Sequence, residues 1–152
     1  MKSALANSVL MVCVGNICRS PMAEAMLAER VSESYPQLKI ASAGVGALVN
    51  HQADQTAQEL MEEMGIDLAS HRAQQLSSEL LSEYDLVLVM EEDHIQAVHD
   101  ILPAARGRVH LLGKWSDFEI PDPYRQPRQE FESALELIER AVGEWQQRFW
   151  PE

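Results

Sequence analysis

Apolar positions change their period repeatedly along this chain, and each change marks an element. Ser8–Cys13 (SVLMVC) is a short apolar run rich in β-branched residues, the pattern of a strand buried on both faces, and it runs out at Gly15. Ser20-Pro21 then reads as an N-cap followed by proline at the first helical position, and Ala23, Met26, Leu27 and Arg30 continue at helical spacing. Lys39–Ala43 is a second short strand closed by Gly44. Between His51 and Met64 the residues Ala53, Ala57, Leu60, Met61 and Met64 keep the helix period, with Gly65 placed to end it. Leu86–Met90 (LVLVM) is the clearest buried strand, and it leads into an acidic first turn, Glu91-Glu92-Asp93, suited to the positive end of a helix dipole. That helix should stop before Pro103, and Val109–Leu112 is the fourth strand. Phe131, Leu135, Ile138, Val142, Trp145 and Phe149 form the apolar stripe of a long closing helix, where methionine and tryptophan read as core.

Strands alternating with helices at these lengths imply right-handed crossovers. The expected fold is a single α/β domain over residues 1–152, with three α/β/α layers and a four-stranded parallel twisted sheet covered by helices on both faces. Ligands in such folds bind beyond the carboxyl ends of the strands, which directs attention to the loop after the first one.

Composition narrows the chemistry. With 46% hydrophobic and 24% charged residues the 152-residue chain is globular, and no apolar run approaches the roughly 18 residues of a membrane span. Asn7 and Ser8 interrupt the N-terminal apolar stretch and no small-residue cleavage site follows, so the expectation is a cytoplasmic protein without membrane insertion. The formal charge of −12 argues against nucleic acid as a partner. The acid is unevenly spread: residues 1–50 hold four Lys/Arg and three Asp/Glu, and the remainder eight against 21. The first third can therefore host an anion. Two cysteines close together, Cys13 and Cys18, make neither a disulfide scaffold nor a zinc site, and His51, His71, His94, His99 and His110 form no convincing metal cluster.

The segment Cys13-Val14-Gly15-Asn16-Ile17-Cys18-Arg19-Ser20-Pro21 places a cysteine at a strand end, an arginine six positions later, and a helix start at once. A loop closing onto a helix N-terminus can turn successive backbone N–H groups inward as an anion nest. Gly15 is expected to supply dihedrals that a Cβ would resist. Arg19 offers a planar fork for two phosphoryl oxygens. In such surroundings the Cys13 thiol should ionise below the usual value of about 8.5, with Ser20 placed to donate a hydrogen bond to the thiolate. A general acid must also protonate the departing oxygen. Asp122 stands out in Ile120-Pro121-Asp122-Pro123-Tyr124, because the flanking prolines stiffen the loop that projects it; Asp117 and Glu119 are the fallback carboxylates.

Cys-x5-Arg-Ser resembles the signature of protein tyrosine phosphatases, and VCVGNICRSP so near the N-terminus of a short chain is similar to the low-molecular-weight class. The resemblance extends through Ser42-Ala43-Gly44, Ser70-His71-Arg72-Ala73, Tyr84-Asp85-Leu86 and Asp122-Pro123-Tyr124. It implies Cys13 as nucleophile and Val14 to Ser20 as the phosphate-binding loop. It also implies Arg19 and Asp122 as catalytic residues and Asn16, Ser42 and His71 as a hydrogen-bonded support that spacing alone does not join. The pocket wall would come from Val45–Val49 and Tyr124, with Leu48 and Tyr124 sandwiching a phenyl ring. No cofactor is implied. The wording of VGNICRSP, GALV and IPDPYR resembles bacterial members acting on the tyrosine autokinases of capsule and exopolysaccharide production. The implied partner is a phosphotyrosine protein, the tail of a membrane autokinase, with inorganic phosphate as product. Some members pair the two loop cysteines, so a reversible Cys13–Cys18 disulfide and a merely buried Cys18 both stay open. Two rival readings are an arsenate reductase of the related fold, which needs cysteines downstream of Cys18 that are absent here, and a non-catalytic phosphotyrosine-binding module.

Overall fold

The computed structural model describes residues 4–152. Four parallel strands, β1 (Ser8–Cys13), β2 (Lys39–Gly44), β3 (Leu86–Val89) and β4 (Val109–Leu111), lie in the order β2-β1-β3-β4. The helices are α1 (Arg19–Val31), α2 (Gln55–Glu63), α3 (Ser78–Leu81), α4 (Glu92–Ile101) and α5 (Arg128–Phe149). The two strands with unbroken apolar runs, β1 and β3, occupy the centre of the sheet, where both faces need apolar side chains. Val9, Met11 and Cys13 point into a core shared with α1, α2 and α5, while Leu10 and Val12 point into a second core with Leu81 of α3 and Val98 of α4. This two-residue alternation between two apolar layers is the three-layer α/β fold that the pattern of the chain predicts.

The long stripe of α5 is buried as expected, and two indoles tie its C-terminal part to the rest of the molecule. Trp145 Nε1 donates to the Leu112 carbonyl at 2.7 Å and Trp150 Nε1 to that of Ala6 at 2.9 Å. Two helix starts differ from the sequence expectation. α1 begins at Arg19 with Cys18 in the cap position, so Ser20 is not the N-cap and Pro21 is the third helical residue; the Ser20 hydroxyl is engaged elsewhere. α2 begins at Gln55, because Asn50 and His51 exchange backbone hydrogen bonds with Ala73 and the Asp54 carboxylate then caps Thr56 N at 2.8 Å. Ala53 is buried without being helical, which imitated the helix period.

Candidate active site

The loop between β1 and α1 is shaped by where its carbonyl groups go. The Cys13, Val14 and Gly15 carbonyls accept from the N–H groups of Val45, Gly46 and Leu48 at 3.0, 3.0 and 3.1 Å. The Asn16 carbonyl accepts from His71 Nε2 at 2.7 Å, and that of Ile17 from Asp54 N at 2.8 Å. A trans peptide points its N–H opposite to its C=O, and no peptide here is cis. Five consecutive carbonyls tied outward therefore turn the N–H groups of Val14 through Cys18 to the other side. None of these donors has a protein acceptor among the described residues. They converge at the N-terminus of α1, whose dipole adds to the same positive field.

Asn16 holds this bowl open from beneath. It is buried and left-handed, at φ 59°, a conformation asparagine tolerates better than most residues. Its Nδ2 donates to Ser20 Oγ at 2.8 Å and Ser42 Oγ at 2.9 Å, and its Oδ1 accepts from Gln74 N at 2.9 Å. With the Ser20 oxygen already receiving a proton from Asn16, its own hydroxyl hydrogen is free for Cys13 Sγ, 2.8 Å away. Ser42 in turn donates to Glu24 Oε1 at 2.5 Å, and Gln74 Nε2 donates to the Ser42 carbonyl at 2.8 Å. Burial raises the Glu24 carboxyl above its ordinary value, against the Ser42 hydrogen bond and the nearby His71.

Gly15 behaves differently from the sequence expectation. The left-handed residue is Asn16, and a Cβ at Gly15 would meet only ordinary contacts, with Ile17 and Leu48. The glycine that matters for space is Gly44, opposite Cys13 in the sheet, where a Cβ would overlap the Val14 carbonyl oxygen.

Arg19 is 1% exposed. Its NH1 donates to Glu91 Oε2 at 2.6 Å and to the Ile120 carbonyl at 2.7 Å, which leaves the rest of the guanidinium for the bowl. NH2 lies 3.6 Å from Asp122 Oδ2. Glu91 is backed by His94, whose Nε2 lies 3.5 Å from the same carboxylate oxygen. The Asp122 loop is anchored at Ile120, buried, with its N–H on the Met90 carbonyl at 2.9 Å and its own carbonyl on Arg19. Asp122 Oδ1 accepts from Tyr124 N at 3.0 Å, which turns Tyr124 back over the opening.

These parts surround a pocket of about 350 Å³. Cys13, Cys18 and Arg19 line its floor, and Asp122, Leu48 and Tyr124 line its sides. Of the three carboxylates weighed from the sequence, only Asp122 reaches it; Glu119 instead accepts from Glu92 N at 2.7 Å, and Asp117 sits left-handed after a 3₁₀ turn. Both cysteines are free and buried. Burial pushes the Cys18 thiol far up, with Asp54, Cys13 and Asp122 adding and Arg19 opposing, so Cys18 stays a protonated thiol at neutral pH.

Four residues in this arrangement escaped sequence reasoning: Glu24, Gln74, Glu91 and His94. Glu91 drew notice only as part of an acidic first turn. Its spacing to His94, cap to third helical residue, was the available signal.

A cysteine at the foot of a bowl of inward amides, with a buried arginine and a carboxylate at the rim, is an arrangement suited to holding a phosphate ester beside a thiol. The profile of the low molecular weight phosphotyrosine protein phosphatases matches residues 8–150. The low molecular weight protein-tyrosine-phosphatase Wzb of Salmonella typhimurium is 48% identical over 142 residues, 93% of each chain. The crystal structure of the Escherichia coli tyrosine phosphatase Wzb in complex with sulphate superposes with a TM-score of 0.89 at 43% identity, covering 95% of this chain and 99% of that one. The YwlE arginine phosphatase of Geobacillus stearothermophilus shares the fold at a TM-score of 0.85 and 30% identity, covering 93% and 91%. The chain belongs to the low molecular weight phosphotyrosine protein phosphatase family and is a protein tyrosine phosphatase. The comparisons support this activity over the arsenate reductase and silent-module readings.

Proposed function

We propose that the chain hydrolyses phosphotyrosine in proteins through a phosphocysteine intermediate. Cys13 Sγ attacks phosphorus in line while Asp122 delivers a proton to the departing phenol oxygen, and an S–P bond replaces the O–P bond. Asp122, now a carboxylate, takes a proton from water as that water attacks phosphorus. Inorganic phosphate leaves and the Cys13 thiolate returns, with Ser20 as its hydrogen-bond donor. The inward N–H groups and Arg19 neutralise charge on the equatorial oxygens in both steps. The observation that supports this reading is the row of five outward-tied carbonyls, which leaves the opposing amides free to receive an oxyanion beside Cys13.

The wall supports an aryl ester. Leu48 and Tyr124 offer apolar faces to a phenyl ring, and a pocket of this size suits phosphotyrosine better than the shorter phosphoserine. An arginine phosphatase shares the fold, so leaving-group selectivity rests on these walls rather than on the scaffold. Asn16, Ser42 and His71 act by fixing the shape of the loop. The physiological partner we propose is the tyrosine-rich tail of a bacterial membrane autokinase in capsule or exopolysaccharide production, met in the cytoplasm; among the described residues no helix is long and apolar enough to cross a membrane.

Hydrolysis of para-nitrophenyl phosphate tests the chemistry. Turnover should persist in chelator, vanish in Cys13→Ser, and fall roughly 10²–10⁴-fold in Asp122→Asn, the usual range for a general acid. Undiminished turnover in Cys13→Ser would end the mechanism. Trapping of a phosphotyrosine protein on Cys13→Ser or Asp122→Ala tests the partner.

A further inference from the structure

Arg19 is a buried cation whose strongest partner, Glu91, sits on a different element and is about one third exposed. A glutamate at the surface loses side-chain entropy when held to one rotamer, so a neighbour that aims it lowers that cost. His94 is 6% exposed and faces both ends of Glu91. Its Nδ1 accepts the Glu91 backbone N–H at 3.3 Å. A nitrogen that accepts carries a lone pair, so the ring proton is on Nε2, the atom 3.5 Å from Glu91 Oε2. One neutral imidazole thereby holds the backbone of Glu91 and brings Nε2 within 3.5 Å of the carboxylate oxygen that binds Arg19.

We propose that Glu91 and His94 are positioning residues for catalysis: His94 aims the Glu91 carboxylate, and Glu91 fixes Arg19 NH1 so that the remaining guanidinium edge meets the phosphoryl oxygens. The reading rests on Arg19 gripping the phosphoryl group. Burial and Arg19 keep His94 neutral against the pull of Glu91, Asp93 and Asp122, and neutrality is the state this geometry requires. With Glu91 released, Arg19 would swing toward Asp122, whose Oδ2 already lies 3.6 Å from NH2, and both groups would leave their working positions.

The two nitrogens of His94 can be replaced one at a time. In His94→Asn the amide oxygen can accept the Glu91 N–H and restores the helix cap, but the nitrogen of Nε2 is lost. In His94→Gln the amide nitrogen reaches the Glu91 carboxylate. The readouts are kcat and KM for para-nitrophenyl phosphate, the competitive inhibition constant of inorganic phosphate, and the melting temperature of each variant. We expect His94→Asn to lose about tenfold in kcat/KM and in phosphate affinity while keeping its melting temperature, and His94→Gln to recover both within about threefold of wild type; coupling of this size is ordinary within one hydrogen-bond network. In a Glu91→Gln background the loss caused by His94→Asn should shrink below about twofold. Full activity in His94→Asn, or an undiminished loss in the Glu91→Gln background, would overturn the proposal and leave His94 as a helix cap. The Cys13→Ser result is independent of both, so failure here is distinguishable from failure of the mechanism.

Discussion

At Gly44 the end of β2 passes so close to the bowl that one methyl group would collide with the Val14 carbonyl oxygen, a fixed backbone atom already bonded to Gly46 N. Gly44→Ala must displace either the strand or the loop. We expect a loss of more than about 2 kcal/mol in urea unfolding, as for overpacked cores. Gly15→Ala should cost less than about 1 kcal/mol, since its added methyl meets only ordinary contacts and the residue is not left-handed. Equal losses at the two positions would contradict this assignment of space. The sequence draws attention to Gly15 because it stands inside the loop, whereas the steric demand falls 29 positions away, across a sheet register that composition cannot reveal. Ser20 shows the same limit. Ser-Pro before a helical pattern fits a cap, but the hydroxyl is claimed by Asn16 and Cys13, and only the folded loop brings these together.

Among the elements, the strands were legible because two apolar cores impose an unbroken run on β1 and β3, and α5 because a 22-residue stripe repeats its period many times. α3, four residues long, is too short to show a period, and the true start of α2 was masked by a buried alanine. The first turn of α4 looked like plain dipole complementation, yet it holds the partner of Arg19 and a buried histidine. That histidine couples the element to pH. Burial and Arg19 lower its ionisation below the ordinary 6.5, so the unfolded chain binds the proton more readily. Its contribution to stability is therefore complete above about 6.5 and falls as pH drops below that value toward the folded-state value. Glu24 has the opposite sign: its acid is weakened by burial, so its contribution is complete below the ordinary 4.5 and is lost as pH rises through the folded-state value. Urea midpoints measured from pH 8 to pH 4 should show the stability difference between His94→Gln and wild type moving in favour of the variant on acidification. For Glu24→Gln the difference should move in favour of the variant as the pH rises. A pH-independent difference in either case would remove that group from the linkage.

For the whole molecule, the strand order and the meeting of residues near 19, 91 and 120 have no signature in the chain, because they arise only when the crossovers close. Net charge is different, being read directly from the sequence. At −12, with the excess acid outside residues 1–50, the molecule presents a repulsive long-range field to an anionic substrate even though the inward N–H groups of the bowl favour an anion locally. The two effects separate by distance. Contacts in the bowl lie inside the Debye length and are little affected by salt, whereas the approach from beyond about 10 Å is screened at about 0.1 M. Two phosphotyrosine peptides of equal length, one flanked by glutamates and one by lysines, isolate the long-range part. Between roughly 10 mM and 150 mM sodium chloride we expect kcat/KM for the acidic peptide to rise by about twofold or more and that for the basic peptide to fall, so that the two converge. A fall for the acidic peptide would mean that a local cation, with the exposed Arg125 at the rim as the first suspect, outweighs the field of the whole protein.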